Sequence, residues 1–267
     1  MQAGDGVLLM AKPAGITSHD VVAHVRRSLP RGTKVGHAGT LDPFATGLLL
    51  VLVGRATRAQ RWLMGLPKTY RAVARLGWTS DTGDRDGTLE HSGRIPERLE
   101  IPRGQQLQRP PAYSALRVGG RRAHALARAG EAPELQPRPV TVHRAELLWH
   151  EGERAAFLIE CSSGTYVRAL ISDLGDAYCE ELERTAIGPF ELARADPELL
   201  VPLSEALAFL PERRLDELEA EAVSHGRRVP AGDAAGPAVR LTHGAELVAL
   251  GEPRATELQP VVVFSPG

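Results

Sequence analysis

The 267-residue chain is poor in cysteine and has no long apolar run. Its two cysteines, Cys161 and Cys179, lie 18 positions apart and form no C-x-x-C pair, so neither a disulfide framework nor a cysteine-bound metal is indicated. The longest purely aliphatic run, residues 48–53, is far too short to cross a bilayer. The N-terminus lacks the basic segment and the apolar stretch of a secretory signal. We therefore expect a cytoplasmic protein with no membrane-spanning helix.

The composition is that of an ordinary globular protein. Hydrophobic residues make up 43% of the chain and charged residues 24%, which argues against wholesale disorder and fibrous architectures. At about 150 residues per domain, the length suggests one large domain and one small domain.

The formal net charge of −1 conceals a strong asymmetry along the chain. Residues 1–130 hold 20 Lys or Arg against 9 Asp or Glu, whereas residues 131–267 hold 12 against 24. Residues 21–80 contain ten basic residues and a single acidic one, Asp42, and residues 101–130 contain six arginines and no acid. Such runs indicate either solvated faces or a surface that binds a polyanion, and the near-zero total does not exclude nucleic acid.

Hydrophobic periodicity predicts a mixed α/β chain. Thr17 and Ser18 can cap a helix whose apolar positions are Val21, Val22 and Val25. A second helix is predicted near residues 55–64 and a third from Tyr166 toward Tyr178. Strands are predicted at residues 7–10, 48–53, 69–76, 140–149, 155–162 and 185–192.

Glycine, proline and charged residues mark the connections. Residues 80–93 are predicted to be a polar loop, and residues 104–137 a long functional excursion. Beyond a candidate boundary between Pro202 and Pro211, a helix is predicted from the spacing of Leu215, Leu218, Ala222 and Val223. Three short apolar runs after it predict a small β unit.

The most informative segment is the glycine-rich stretch GHAGTLDPFATG at residues 36–47, ahead of the apolar run. No Gly-Lys-Ser/Thr follows, so a nucleotide-triphosphate loop is poorly supported. Asp42 has two interpretations: a turn residue that accepts backbone hydrogen bonds, or a nucleophile or base that acts on a nucleic acid. Among so many cations we expect Asp42 to stay ionised, with its pKa lowered by opposite charge.

Seven ordered motifs, spread from residue 12 to residue 190, resemble the TruB family, the bacterial tRNA pseudouridine-55 synthases. They are KPAGITSHDVV at 12–22, GHAGTLDPFATGLL at 36–49, KTYR at 68–71, SDTGDRDG at 80–87, QRPPAYSA at 108–115, SGTYVRA at 163–169 and RTAIGPF at 184–190.

The resemblance implies a uridine isomerase that acts on the T loop of tRNA and needs no cofactor and no metal. Asp42 matches the catalytic aspartate, a nucleophile toward ribose C1′ or toward the base. Tyr70 matches a tyrosine that stacks on the base and moves a proton. Arg168 matches the arginine that pairs with the catalytic carboxylate, and Asp84 matches a second aspartate of that network.

Independent reading of the residues supports part of this assignment. Arg168 is expected in the first turn of its helix, where a cation opposes the macrodipole and a carboxylate partner would offset the penalty. The alternatives are a solvent-directed Arg168 and a Tyr70 that belongs to the core.

The resemblance also implies contacts to the substrate. His37 is expected to fill a stack beside the flipped-out base, and Lys12 to make a supporting contact near the site. The excursion at about 104–137 resembles the RNA-gripping insertion of this family. Its arginine side chains suit phosphate recognition. The substrate-binding residues expected from the resemblance are His37, Lys12, Tyr166, Arg109, Arg117 and Arg121.

The implied fold is a mixed α/β domain at residues 1–205, with a mainly antiparallel sheet and flanking helices. Residues 206–267 resemble a shortened PUA domain, a small RNA-binding β-barrel.

The chain departs from the family pattern at Glu180, Glu181 and Glu183, which place acid near the expected RNA face. We expect a monomer whose partner is the T stem-loop of tRNA. A non-catalytic RNA-binding module and a phosphate-loop enzyme are the alternatives.

Overall fold

A computed structural model describes residues 4–114, 116–123, 126, 129–131 and 135–264. The main body is a ten-stranded sheet in the order β14-β1-β3-β12-β4-β11-β10-β7, in which β2 also pairs with β3 and β13 with β12. Its strands are β1 Gly6–Lys12, β2 Val35–His37, β3 Thr46–Val53, β4 Lys68–Leu76, β7 Gly104–Gln108, β10 Arg138–Glu151, β11 Arg154–Cys161, β12 Ala177–Ile187, β13 Phe190–Glu191 and β14 Asp196–Pro202.

All strand pairs described in this sheet are antiparallel except β3 with β12. Two short hairpins lie outside it, β5 Trp78–Ser80 with β6 Leu89–His91, and β8 Arg117–Val118 with β9 Arg121–Arg122. The α-helices given for the described residues are α1 Ser18–Arg27, α2 Gln60–Gly65, α3 Val167–Ser172, α4 Leu203–Ala206 and α5 Glu217–Ser224. The expected mixed α/β fold with a mainly antiparallel sheet is confirmed.

Helix α1 begins where the sequence predicts. Thr17 is its N-cap, and Thr17 and Asp20 form a reciprocal capping box. The predicted apolar stripe of Val21, Val22 and Val25 packs in one cluster with Leu49 and Val51 of β3. This packing fixes the start of α1 beside the entrance to β3.

Strand β3 is buried along almost its whole length, as its unbroken apolar run predicts. Leu49 and Val51 belong to the cluster under α1, whereas Leu48 and Leu50 belong to a second cluster on the other face. The loop that precedes β3, residues 38–45, is therefore attached to one of the most buried strands. We call these residues the Asp42 loop.

The C-terminal residues form the predicted small β unit, a five-stranded sheet in the order β15-β17-β18-β19-β16 covered by α5. Its strands are β15 Glu212–Arg214, β16 Val229–Pro230, β17 Val239–His243, β18 Glu246–Arg254 and β19 Glu257–Val263. Leu215 and Val223 are buried as predicted, but Leu218 is 78% exposed, so the predicted stripe is only partly correct.

The helix predicted from Tyr166 toward Tyr178 is too long. Helix α3 ends at Ser172, Gly175 follows with φ +126°, and Tyr178 lies in β12. Residues 177–187 pair along β4, and this pairing outweighs the helical propensity of their Ala, Glu and Leu. The predicted strand at 185–192 is therefore the end of a longer strand. The predicted polar loop at 80–93 also includes β6 and the end of β5.

Candidate active site

A cavity of about 820 Å³ opens between the Asp42 loop, the start of α1 and the β5–β6 hairpin. The residues that line it include Thr17, Ser18, His19, His37, Thr40, Leu41, Asp42, Pro43, Asp81, Thr82, Asp84, Tyr113, Ser114 and Arg168. Motifs that are more than 120 positions apart in the sequence therefore meet in one recess.

Arg168 joins two carboxylates at the centre of this cavity. Its Nε lies 2.8 Å from Oδ2 of Asp42, and its Nη2 donates to Oδ1 of Asp42 at 3.4 Å. Its Nη1 lies 2.8 Å from Oδ2 of Asp84. The contact with Asp42 is thus an ion pair with one long hydrogen bond, because the Nε N–H of Arg168 makes no hydrogen bond among the described residues. The side chain of Arg168 is 3% exposed, and Asp42, at 32%, is more exposed than Asp84, at 8%, although both carboxylates line the cavity.

Two backbone contacts fix the guanidinium between these carboxylates. Arg168 Nη1 donates to the Thr82 carbonyl at 2.7 Å, and Nη2 donates to the Tyr113 carbonyl at 3.0 Å. Arg168 is the second residue of α3, as expected from the sequence. A cation in the first turn of a helix is unfavourable by itself, and two carboxylates compensate it here. The alternative of a solvent-directed Arg168 is wrong.

The lowered pKa that the sequence predicts for Asp42 is also wrong. Burial raises the pKa of the Asp42 carboxyl, the charge of Arg168 opposes this, and the negative charge of Asp84 adds to it. Basic residues that are close to Asp42 in the sequence are not the ones that are close to it in space. The cations that act on Asp42 in space are Arg168 and Lys12, and neither belongs to the basic stretch at 21–80.

The turn between β5 and β6 holds Asp84. Thr82 Oγ1 donates to Oδ1 of Asp84 at 2.7 Å, and the Asp86 backbone N–H donates to the same oxygen at 3.1 Å. Ser80 Oγ donates to the Asp84 carbonyl at 2.6 Å. Every carboxylate oxygen of Asp84 thus has a donor, which leaves Asp84 to orient Arg168 rather than to face a ligand.

Lys12 is buried under the Asp42 loop. Its Nζ donates to the carbonyls of Pro13, Ile16 and Pro43 at 2.8, 2.8 and 3.3 Å. Burial lowers the pKa of Lys12, and the charge of Asp42 acts against this. These three bonds use all the donors of an ammonium group. Lys12 therefore ties the turn after β1 to the Asp42 loop, and its ammonium has no donor left for a direct hydrogen bond to a substrate.

Tyr70 lies in β4 and is 8% exposed. It belongs to the same apolar cluster as Leu41 and Phe44 of the Asp42 loop. Burial raises the pKa of the Tyr70 hydroxyl, so the phenol is protonated at neutral pH. Within the described residues, the aromatic wall of the cavity is Tyr113 rather than Tyr70 or Tyr166. The sequence placed Tyr113 in a motif but assigned it no role.

His37 and Tyr166, two substrate-binding residues expected from the sequence, are both half-buried. His37 is half-buried and lines the cavity, and burial together with the charge of Arg184 lowers its pKa, which keeps the imidazole neutral at pH 7. Tyr166 is the N-cap residue of α3 and is half-buried. Burial raises the pKa of Tyr166, and a hydrogen bond with Ser114 opposes the increase.

Gln108 is a functional candidate that the sequence analysis missed. Its side chain is 5% exposed, its Nε2 donates to the Tyr166 carbonyl at 3.0 Å, and the Tyr166 N–H donates to its Oε1 at 2.8 Å. This amide pair joins the end of β7 to the start of α3. The tertiary pairing of β7 with β10 brings it there, and the motif at 108–115, which begins with Gln108, does not indicate this contact.

The arginines of the excursion are less uniform than their sequence suggests. Arg109 is exposed. Arg121 is exposed but forms an ion pair with Glu131, with Nη1 3.0 Å from Oε1. Arg117 has its backbone in β8, and its side chain lies outside the described residues.

The acidic residues at 180–183 are partly neutralised within the sheet. Arg154 Nε lies 2.6 Å from Glu180 Oε2, and its Nη2 lies 2.8 Å from Glu181 Oε1. Glu183 lies opposite Arg71 in the pairing of β12 with β4. The departure from the family pattern therefore forms cross-strand contacts and lies outside the cavity of Asp42.

The Asp42 loop leads into a strand rather than into the N-terminus of a helix, so it lacks the geometry of a phosphate-binding loop. In the described part of the chain, no group of His, Cys, Asp or Glu has an arrangement that could hold a metal ion. None of the helices there has the length and hydropathy that a bilayer crossing requires.

Two models of known protein families match the chain, one in each of its two parts. Residues 26–167 match the model of the TruB family pseudouridylate synthase N-terminal domain, and residues 210–265 match that of the tRNA pseudouridine synthase II C-terminal domain. The five-stranded C-terminal sheet fits the small PUA-like unit expected from the sequence.

Individual relatives agree. The chain is 40% identical over 297 residues to a tRNA pseudouridine synthase B of Arthrobacter sp. (strain FB24), covering 98% of this chain and 97% of that protein. It is 41% identical over 290 residues to that of Thermobifida fusca (strain YX), covering 98% and 99%. A chain in the crystal structure of a Cbf5-Nop10-Gar1 complex has a TM-score of 0.72 at 28% identity, covering 98% of this chain and 85% of that one.

Proposed function

The chain belongs to the TruB family and is a pseudouridine synthase, and from this premise we propose that it isomerises uridine 55 in the T loop of tRNA. The observation that carries the proposal is the Asp42–Arg168 ion pair in the wall of a cavity, with Asp42 partly open to that cavity. A carboxylate held in this way by a buried guanidinium has a fixed direction, which nucleophilic catalysis requires.

The reaction breaks the N1–C1′ bond, turns the uracil and forms a C5–C1′ bond. The proton on C5 is lost and N1 gains one, so the step needs neither a redox partner nor a cofactor. Asp42 acts as the nucleophile, either on ribose C1′ or on the base. Arg168 orients Asp42 and favours its charged form, and Asp84 holds Arg168 from the other side.

The remaining residues serve access and proton transfer. A uridine in a folded T loop is reached only after extrusion from its stack. We assign His37 to the gap that the extruded uridine leaves in the RNA stack. Its neutral ring lines the wall of the cavity, beside the proposed position of the base. Tyr70 does not line the cavity, so its assignment to stacking on the uracil and to proton transfer rests on its match to the family motif and on its packing against Leu41 and Phe44 of the Asp42 loop.

The T stem-loop of tRNA is the proposed partner. The excursion at 104–137, with Arg109, Arg117 and Arg121, is the proposed grip on the RNA, and arginine side chains suit phosphate contacts. Tyr166 and Lys12 support the site through α3 and the Asp42 loop. The same proposal includes a monomer that works in the cytoplasm, with a catalytic domain at 1–205 and a PUA-like domain at 206–267.

The test is incubation of the purified chain with an unmodified tRNA transcript, followed by mapping of pseudouridine at single-nucleotide resolution. We expect one modified position, uridine 55. A transcript with cytidine at position 55 is the matched control and should remain unmodified. Pseudouridine only outside the T loop would reject the proposed position, and tight tRNA binding without any pseudouridine would favour a non-catalytic RNA-binding role.

A further inference from the structure

Arg184 lies in the single parallel strand pair described in the large sheet. Strands β3 and β12 pair only through Glu183 with Thr46 and Arg184 with Gly47. Gly47 has φ +109°, and a Cβ there would lie 2.3 Å from the Arg184 carbonyl oxygen. The backbone of Arg184 is therefore in close contact with the chain at the point where the Asp42 loop enters β3.

The side chain of Arg184 contacts the start of that loop and the strand that follows it. Nε donates to the Leu48 carbonyl at 2.8 Å, Nη1 to the Thr40 carbonyl at 3.3 Å and Nη2 to the Gly39 carbonyl at 3.1 Å. Arg184 is 1% exposed. These bonds fix the backbone before Asp42 and after it, as one rigid fork.

Arg184 bears its charge without a counter-ion among the described residues, because none of their carboxylates forms an ion pair with it. A buried charge is costly unless it is well satisfied. An apolar side chain could fill this volume, so packing alone does not explain a guanidinium at this position.

The charge of Arg184 also acts on the neighbouring functional residues. Arg184 lies opposite Tyr70 in the pairing of β12 with β4. Burial raises the pKa of Tyr70, and the charge of Arg184 and a hydrogen bond from it both oppose this increase. After burial, the charge of Arg184 is the next cause that lowers the pKa of His37.

We propose that Arg184 is a positioning residue for the isomerisation, whose guanidinium holds the backbone on both sides of Asp42 and the side chain of Tyr70 in one fixed arrangement. The inference rests on the proposed function and deepens it. It assigns to Arg184 no contact with the substrate. Its effect reaches the reaction through the direction of Asp42, and a misplacement of about 1 Å can cost about 10²-fold in rate.

The test compares Arg184→Lys and Arg184→Gln with the wild-type chain on the tRNA transcript. Arg184→Lys keeps the charge but loses the fork, so we expect kcat to fall about 10²-fold while KM and the Kd for tRNA stay within about threefold. Arg240→Lys is the matched control, because Arg240 Nε donates to the Leu210 carbonyl at 3.1 Å in the C-terminal unit, away from the cavity. It should retain wild-type kcat.

A second readout separates positioning from general stability. Proton NMR titration of His37 should show its pKa rising in Arg184→Gln, which removes the charge, and staying low in Arg184→Lys, which keeps it. Rates are measured in single turnover and normalised to sites that bind tRNA, so a partly unfolded variant remains interpretable. Wild-type kcat in both Arg184 variants, or an unmoved His37 titration in Arg184→Gln, would overturn the inference. An inactive wild-type chain would instead reject the proposed function.

Discussion

Arg168 makes different contacts with the two carboxylates that it joins. Asp84 is 8% exposed and receives hydrogen bonds on both oxygens, whereas Asp42 is 32% exposed and its partner is the same guanidinium. This difference supports the proposal that Asp84 acts as a support for Arg168 and that Asp42, the more open carboxylate, is the one that reacts.

Replacement of Asp42 by Asn tests this division at the reacting atom. The amide keeps the volume but loses nucleophilicity and charge, so we expect single-turnover isomerisation to fall by at least about 10³-fold. Binding of tRNA should change by less than about threefold, because Asp42 contributes no attraction to a polyanion. Asp173→Asn, at the end of α3, is the control and should keep full activity. Retained isomerisation in Asp42→Asn would remove the enzyme mechanism proposed for this residue.

The raised pKa of Asp42 predicts an acid limb in the activity profile. Asp42 reacts as the carboxylate, so kcat/KM should decrease as pH falls through its pKa, with a midpoint above the ordinary value of about 3.9 for Asp. The charge of Asp84 contributes to that increase, so Asp84→Asn should move the midpoint to lower pH. The measurement is kcat/KM from pH 4 to 8 for both chains. An unchanged or higher midpoint in Asp84→Asn would contradict the assignment.

At the scale of the element, the sequence predicts well what depends on local pattern. The capped helix α1, the buried strand β3 and the alternating strand β4 follow from periodicity and capping alone. Strand β12 does not, because its residues favour a helix locally and form a strand only beside β4. The motifs locate Asp42, Arg168 and Asp84. The motifs also include Gln108 and Arg184, but the contacts of these two side chains join distant parts of the chain and are not indicated by the neighbouring sequence.

The amide of Gln108 couples β7 to α3, and its replacement tests that coupling. In Gln108→Glu a carboxylate oxygen faces the Tyr166 carbonyl and one hydrogen bond is lost, so we expect about 1–3 kcal/mol less stability toward urea. Activity should fall as well, because α3 carries Arg168. Gln105→Glu is the matched control, since Gln105 is exposed on the same strand. Equal unfolding midpoints and rates for the two variants would show that the amide pair does not hold the site.

At the scale of the whole molecule, the basic residues counted along the sequence do not all form a free basic surface. Of the ten basic residues at 21–80, six are engaged inside the structure: Arg26, Arg55, Arg58, Arg61, Lys68 and Arg75 contact carboxylates or backbone carbonyls. Three of these, Arg55, Arg58 and Arg61, contact the C-terminal unit. The basic half therefore serves the internal assembly of the chain as well as a surface for RNA, and a linear count cannot separate the two uses.

The contacts of Arg55, Arg58 and Arg61 with the C-terminal unit, together with a shared apolar cluster, lead us to expect that this unit and the main sheet unfold together. One apolar cluster runs across the proposed boundary at 205 and 206, and it contains Leu50 and Leu63 from the main body with Leu250 and Phe264 from the C-terminal unit. A second cluster, with Val223 and Leu258, is internal to the C-terminal unit. A chain that ends at 205 would expose the first cluster to water, at roughly 25 cal/mol per Å² of apolar surface.

We therefore expect the full chain to show one unfolding transition by calorimetry, and the fragment 1–205 to show none. Leu250→Ala and Leu258→Ala form a matched pair, since both side chains are fully buried but only Leu250 lies in the shared cluster. If the chain unfolds as one unit, each variant lowers the same transition, by about 2–5 kcal/mol for a buried Leu→Ala change. Two independent domains would instead give two transitions, with Leu258→Ala shifting only one of them and fragment 1–205 keeping the other. That second pattern would mean that the contacts of Arg55, Arg58 and Arg61 join two already folded bodies and do not contribute to a common fold.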